Sequence, residues 1–266
     1  MKYEVREVPN GLLVFADGRC LAGLGRNYYR AWLYPLYTPA GQCVLQEFPF
    51  DHPFHNACFV GQNPVRIGGR TANFWAVPPK REPEDEIFVN VGRIEVEKTE
   101  AACGEKAVLI SMKNVWVDEH GEPVLEEERS YHIALADGAT LCEVKSRKIA
   151  AYGELEFPAT KFGGVGVRVD PRLLPISGGK ILGEHGKRSP FVAYESPSAG
   201  FGLCLIAPDD KLPWFVRDYG LALYNPTWEQ ALRVAHGEAW EVVLRLVAYD
   251  GTLEAEPGQG WFYTKA

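Results

Sequence analysis

Residues 108–117 read VLISMKNVWV, and two later stretches, RSYHIAL (129–135) and TLCEVKSRKIAA (140–151), share their character. Each is short, rich in β-branched or aromatic residues, and alternates polar with apolar. A pleated chain sends successive side chains to opposite faces, so this alternation marks strands with one buried face. Working outward, GGVGVRV (163–169), FGLCLIA (201–207) and WEVVLRLVAY (240–249) extend the reading. Turn signals separate the runs: Asp118-Glu119-His120-Gly121, Asp137-Gly138, Pro208-Asp209-Asp210 and Asp250-Gly251. Asp137-Gly138 predicts a hairpin turn between two alternating strands. No window carries a sustained helical stripe, and the best helical candidate, PEDEIFVNVGR (83–93), is weak. Many short strands, with 27 glycines and 19 prolines for turns, predict an all-β protein, an antiparallel β-sandwich.

The 266 residues contain no repeat of fixed period and no linker-like segment, so residues 1–266 are expected to form one domain. KREPEDE (80–86) reads as a surface loop. A net charge of -7 disfavours non-specific nucleic-acid binding, which needs basic patches. No apolar run follows the first basic residue, and the longest apolar runs are far too short for a bilayer. A soluble, cytoplasmic protein with no nucleic-acid or membrane partner is expected; oligomeric state is not legible. Six cysteines at 20, 43, 58, 103, 142 and 204 form no CxxC pair, and most lie among apolar neighbours. With no export signal, reduced buried thiols are expected.

FPFDHPFHNACF (48–59) holds two of the six histidines, His52 and His55, with Asp51 directly before the first. Positions three apart on an extended strand face opposite ways. Pro53 disfavours both a central strand and helix at His52, so a turn here lets the imidazoles converge. Two imidazoles suit general acid catalysis, or ligation of a divalent metal, and Asp51 suits the fixing of a tautomer. Against these stands a loop corner whose histidines bond backbone. A mononuclear zinc site needs a third ligand, and no HExxH is present.

Arg30 lies among Tyr28, Tyr29, Trp32, Tyr34 and Tyr37. Aromatic faces stack on a pyranose and a guanidinium binds oxygens; core packing is the competing reading. LPWFVRDYGLALYNP (212–226) sets Arg217, Asp218 and Tyr219 in an apolar context, where proton transfer competes with a local Arg217–Asp218 pair. Trp75 is a stacking platform or a core residue, and His185 and Arg188 are site residues or a solvated loop. In the run Glu126, Glu127, Glu128, alternation lets Glu126 and Glu128 point together; one glutamate buried with Arg129 is the alternative. The chain lacks a GxGxxG after a strand, a GxxxxGK[ST] and a GxSxG elbow, which removes dinucleotide, nucleoside-triphosphate and serine-hydrolase signatures.

Taken in order, YYRAWLYPLYTPAG, FPFDHPFHNACF, NFWA, WVDEHGEPVLEEERSY, TKFGGVGVRV, HGKRSPFVAY, LPWFVRDYGLALYNP and AYDG resemble the soluble bacterial family labelled "methane oxygenase PmoA", over about residues 25–251. The label names a membrane subunit; a chain with no span and no histidine-rich copper signature makes it a misnomer. The family's genes tend to lie with sugar-catabolic genes, and its strand pattern and paired histidines are similar to galactose mutarotase-like supersandwich proteins. Those use histidines and a carboxylate to open a sugar hemiacetal. The resemblance points to Arg30, His52, His55, Trp75, His185, Arg188, Arg217, Asp218 and Tyr219. Family members often carry an acidic residue after the lysine of the TKxG segment; Phe162 stands there, so a base must come from Asp218, Glu126 or Glu128.

The sequence therefore points to acid–base chemistry on a small-molecule carbohydrate, of epimerase, mutarotase or lyase type. His52, His55 and Asp218 would be catalytic, with Arg30, Trp75, His185, Arg188, Arg217 and Tyr219 binding substrate, and no cofactor. The alternatives are a divalent-metal-dependent hydrolase or lyase using His52 and His55, and a non-catalytic sugar-binding module.

Overall fold

The computed structural model describes residues 1–136, 138–208 and 212–253. Asp137, Asp209 and Asp210, named above as turn residues, lie outside the described residues.

The stretch Val108–Val117 is a strand whose buried and exposed residues alternate, with Val108, Ile110, Met112 and Trp116 inward and Leu109 and Lys113 outward. It belongs to an eight-stranded sheet ordered Lys180–Leu182, Phe191–Ser196, Phe201–Ile206, Ala239–Asp250, Ala139–Ile149, Pro123–Ala136, Val108–Val117 and Arg93–Cys103. Ala136 pairs with Ala139, so the two strands flanking the expected hairpin are antiparallel neighbours. A second eight-stranded sheet runs Tyr3–Val8, Gly11–Ala16, Arg19–Arg26, Ala31–Leu36, Cys58–Gln62, Gly163–Arg168, Leu221–Tyr224 and Phe215–Val216. A smaller third sheet joins Leu232–Val234, Leu155–Phe157, Val65–Ile67 and Arg70–Ala72. Every strand pair within the sheets is antiparallel.

The inward faces of the two large sheets meet in one hydrophobic core, where Ile110, Tyr131, Val144 and Leu244 from one sheet join Leu33, Phe59, Val165 and Leu223 from the other. The all-β antiparallel sandwich is therefore as the alternation predicts. Residues 83–93 form turns and bends up to the strand that begins at Arg93, so the weak helical candidate is overturned. Its three acidic residues and the clustered Ile87, Phe88, Val89 and Val91 form no helically spaced apolar stripe to bury. KREPEDE is a loop, as read.

A buried charge cluster links the sheets. Glu127 accepts from Arg129 Nε at 2.9 Å, Asn114 at 3.0 Å and Trp116 Nε1 at 2.8 Å, and also from the Ser146 hydroxyl. Arg129 Nη1 crosses to donate to the Ala31 carbonyl at 3.0 Å. Burial works against the Glu127 carboxylate, but Arg129 and Lys148 outweigh it and hold the group at about 2. Burial dominates at Lys148, which falls to about 8 despite Glu127. Alternation explains the choice: Glu127 faces inward with Arg129, and Glu126 and Glu128 face solvent. The two glutamates weighed as bases thus lie on the outer face. All six cysteines are free, with Cys58, Cys142 and Cys204 buried. Among the described residues no helix is long and apolar enough to cross a membrane.

Candidate active site

The histidine corner precedes strand Cys58–Gln62. Pro49 and His52 each accept a backbone bond three residues on: His52 N–H donates to Pro49 O at 3.1 Å and His55 N–H to His52 O at 2.9 Å. Two consecutive turns therefore replace the extended chain in which the histidines would diverge. Phe48 and Ala57 bracket the corner with left-handed φ values of 48° and 50°, a backbone strain that surrounding structure must hold. The result stacks the His52 and His55 rings with centroids 4.9 Å apart and planes 2° apart.

Arg168 and Asp51 orient His52. Arg168, the buried last residue of strand Gly163–Arg168, donates Nη2 to Asp51 Oδ1 at 2.8 Å and Nη1 to Oδ2 at 3.1 Å. Asp51 Oδ2 in turn lies 2.8 Å from His52 Nδ1. Burial raises the Asp51 carboxyl, but hydrogen bonds from Arg168 and His52 outweigh it and hold it below the usual carboxylate value. An ionised carboxylate only accepts, so Nδ1 carries the proton and Nε2 of the neutral ring is left as the proton-accepting atom. Tyr219 covers His52, its ring 5.3 Å away and tilted by 14°.

His55 is 1% exposed. It is backed by Phe59 at 5.4 Å and Trp75 at 5.6 Å, and its Nδ1 has no hydrogen-bond partner. Burial first, then the charges of Arg168, His52 and Arg30, push its pKa well below 6.5, so it stays neutral near pH 7. Phe59 reaches this position because Gly166, on the adjacent strand, has no side chain: a Cβ there would run into the Phe59 ring.

These groups open on a cleft of about 300 Å³. Its walls are His52, Phe54 and His55 from the corner, Trp75, the loop residues Arg81, Asp85 and Ile87, Lys161 and Phe162, and Phe215, Tyr219, Leu221 and Leu223. Asp85 sits 3.5 Å from Arg81 Nη2. The cleft thus combines an oriented imidazole, a second buried imidazole, a carboxylate and an aromatic lining.

The structure brings together His52, His55, Trp75 and Tyr219 of the residues singled out by sequence. It separates the rest. Asp218 is exposed and does not line the cleft: it and Tyr219 occupy the corner of a turn closed by Gly220 N–H to Arg217 O at 3.0 Å, and only Tyr219 points inward. Arg30 is fully buried outside the cleft lining, donates to the Trp75 carbonyl and lies over the Phe59 ring at 5.0 Å. Burial first, then Arg129, lowers Arg30 to about 9, which leaves it charged at neutral pH. Arg217 lies over the Phe215 ring at 4.4 Å, outside the lining. His185 is one ring removed, edge-on to Phe215 at 5.0 Å, with Nδ1 accepting from Val216 N–H at 3.3 Å. Arg188 is exposed and paired with Glu229 at 2.6 Å. Sequence reasoning missed Asp85, Arg81, Lys161 and Arg168 as site residues. A charge run such as KREPEDE carries no signal that two of its members turn toward a cleft.

Parallel rings send their lone pairs along parallel planes, so His52 and His55 do not converge on one ion as placed. Among the described residues no group of three or more His, Cys, Asp or Glu is arranged to hold a metal.

The molecule is thus an all-β sandwich with an imidazole–carboxylate cleft at the end of its central strands. The chain belongs to the family of unknown function DUF6807, whose profile matches residues 24–261. That description does not carry the methane oxygenase label that the motifs resemble. No curated protein matches the chain. Among solved structures, a galactose mutarotase related enzyme from Lactobacillus acidophilus aligns at 8% identity and a TM-score of 0.40, over 96% of this chain and 100% of that one. At that score the likeness decides neither topology nor activity.

Proposed function

We propose that the cleft performs acid–base chemistry on a small carbohydrate, an epimerisation, mutarotation or related elimination. The observation that carries this reading is the Arg168–Asp51–His52 chain, which ends in an imidazole nitrogen free for proton transfer at an aromatic-lined cleft. His52 Nε2 takes or returns the proton, and Asp85 is the second proton-transfer group. Asp85 replaces Asp218 in that role because it lines the cleft. Tyr219 presents its ring to the apolar face of a sugar, and Trp75, 2% exposed, backs the wall behind His55 and Phe162. Placed acid–base groups supply about 10²–10⁴-fold acceleration, enough for hemiacetal opening.

The test is a panel of aldoses and keto-sugars followed by NMR, watching anomer exchange, epimer formation and solvent deuterium incorporation. Wild type is expected to accelerate one of them, and His52→Ala to lose about 10²–10⁴ of that rate. Asp51→Asn, which keeps the turn but removes the carboxylate holding Nδ1–H, is expected to lower the rate and displace its pH profile. Binding without turnover in wild type, unaltered by His52→Ala, would reassign the protein as a sugar-binding module.

A further inference from the structure

The cleft has a charge the acid–base reading does not use. Asp51 is spent on Arg168, and Asp85 is the carboxylate in the lining, facing Arg81 at 3.5 Å. Lys161 also lines the cleft, is exposed, and makes its one described contact with its neighbour's ring, Phe162, at 5.0 Å. No carboxylate among the described residues pairs with it. Arg81 and Lys161 against Asp85 leave the lining one positive charge in excess, in a chain whose net charge is -7. A surplus cation in an acidic protein attracts an anion to that spot and repels it elsewhere. His55, 1% exposed and also in the lining, adds a buried polar atom, Nδ1, with no protein partner.

We infer that the ligand of this cleft is an anionic monosaccharide, a sugar bearing a carboxylate or phosphate, whose charged group is held by Lys161 with help from Arg81. The inference rests on the carbohydrate reading above and narrows it to a substrate class. Lys161 meets the anion as a mobile point charge at the exposed side of the cleft. Arg81 is held to Asp85 only loosely and has donors to spare, since a guanidinium carries five. The aromatic walls are left to the sugar ring.

The test is calorimetric titration with matched triplets: a neutral aldose, its uronate and its 6-phosphate, each in gluco, galacto and manno configuration. Wild type, Lys161→Gln and Lys161→Arg are compared at low and high salt. A charged member is expected to bind about 10–100-fold tighter than its neutral sibling, the range of a charge-assisted hydrogen bond. Lys161→Gln is expected to erase most of that ratio, Lys161→Arg to keep it, and salt to weaken it. Preference for uronate over phosphate, or the reverse, identifies the anion. Equal affinity for neutral and charged siblings, or a ratio untouched in Lys161→Gln, would overturn the anionic class and leave the carbohydrate reading standing. Failure of every sugar to bind would overturn both. Lys161 is exposed, so the variants fold, and matched melting curves verify it.

Discussion

His55 shows how a residue's surroundings set its chemistry. The same imidazole that titrates near neutrality in an open chain is locked neutral here, because burial and the neighbouring Arg168, His52 and Arg30 disfavour its charged form. This has a signed consequence for stability. Below about pH 6.5 the unfolded chain binds a proton at His55 and the fold does not, so the unfolded state holds more protons and is favoured by acid. The stabilisation is fully present above pH 6.5 and is lost as pH falls toward the depressed folded value. Urea unfolding at pH 7.5, 6.5 and 5.5 is expected to give a curve steeper for wild type than for His55→Phe, by up to about 1.4 kcal/mol per pH unit for one proton. Parallel curves would contradict it. His52 lies only 4.9 Å away, yet is placed differently, its Nδ1 tied to an ionised carboxylate. Two adjacent histidines thus receive different roles from their partners, not from their sequence spacing.

At the scale of the element, strand Pro123–Ala136 turns an ambiguous run of three glutamates into two classes. A two-residue period carries Glu127 and Arg129 inward and Glu126 and Glu128 outward. Register then completes the cluster: Glu127 lies opposite Asn114 on one neighbour and opposite Lys148 on the other. Removing one partner of a buried ion pair strands the other charge, a loss of about 3–5 kcal/mol. Glu127→Ala is therefore expected to lower stability by about that amount, read as a shift in urea midpoint. Glu128→Ala, one residue along and exposed, is expected to stay within about 0.5 kcal/mol. If the two cost alike, the alternation assigned to this strand is wrong. The acid limb carries the same signature, because Glu127 is held at about 2 against an ordinary 4.5, and its contribution disappears as pH falls through that interval.

Over the whole molecule, the cleft is an assembly of distant segments. The corner at residues 51–55, the loop carrying Arg81 and Asp85, Lys161 and Phe162, and Phe215 to Leu223 meet only because strands Cys58–Gln62, Gly163–Arg168 and Leu221–Tyr224 are neighbours in one sheet. The assignment of the second proton-transfer group follows from that assembly. Asp85→Asn is expected to reduce turnover of the substrate found by the NMR panel by about 10²-fold or more at unchanged melting temperature, and Asp218→Asn to leave it unchanged. The opposite ranking would restore Asp218.

The sequence by itself determined the all-β character, the main strands and a turn at the DHPFH corner. Each rests on neighbours in the chain: a two-residue period, a turn residue, or a proline that forbids continuation. Only the tertiary structure decided which charges face the cleft. Asp218 and Tyr219 are adjacent in sequence and part company at a turn, Arg30 sits among aromatics yet outside the cleft lining, and Asp85 leaves an apparently solvated charge run to line the site. Strand pairing between segments distant in the chain, Cys58–Gln62 with Gly163–Arg168 and that strand with Leu221–Tyr224, sets those outcomes, and the pattern of a single segment carries no record of which neighbour it will meet.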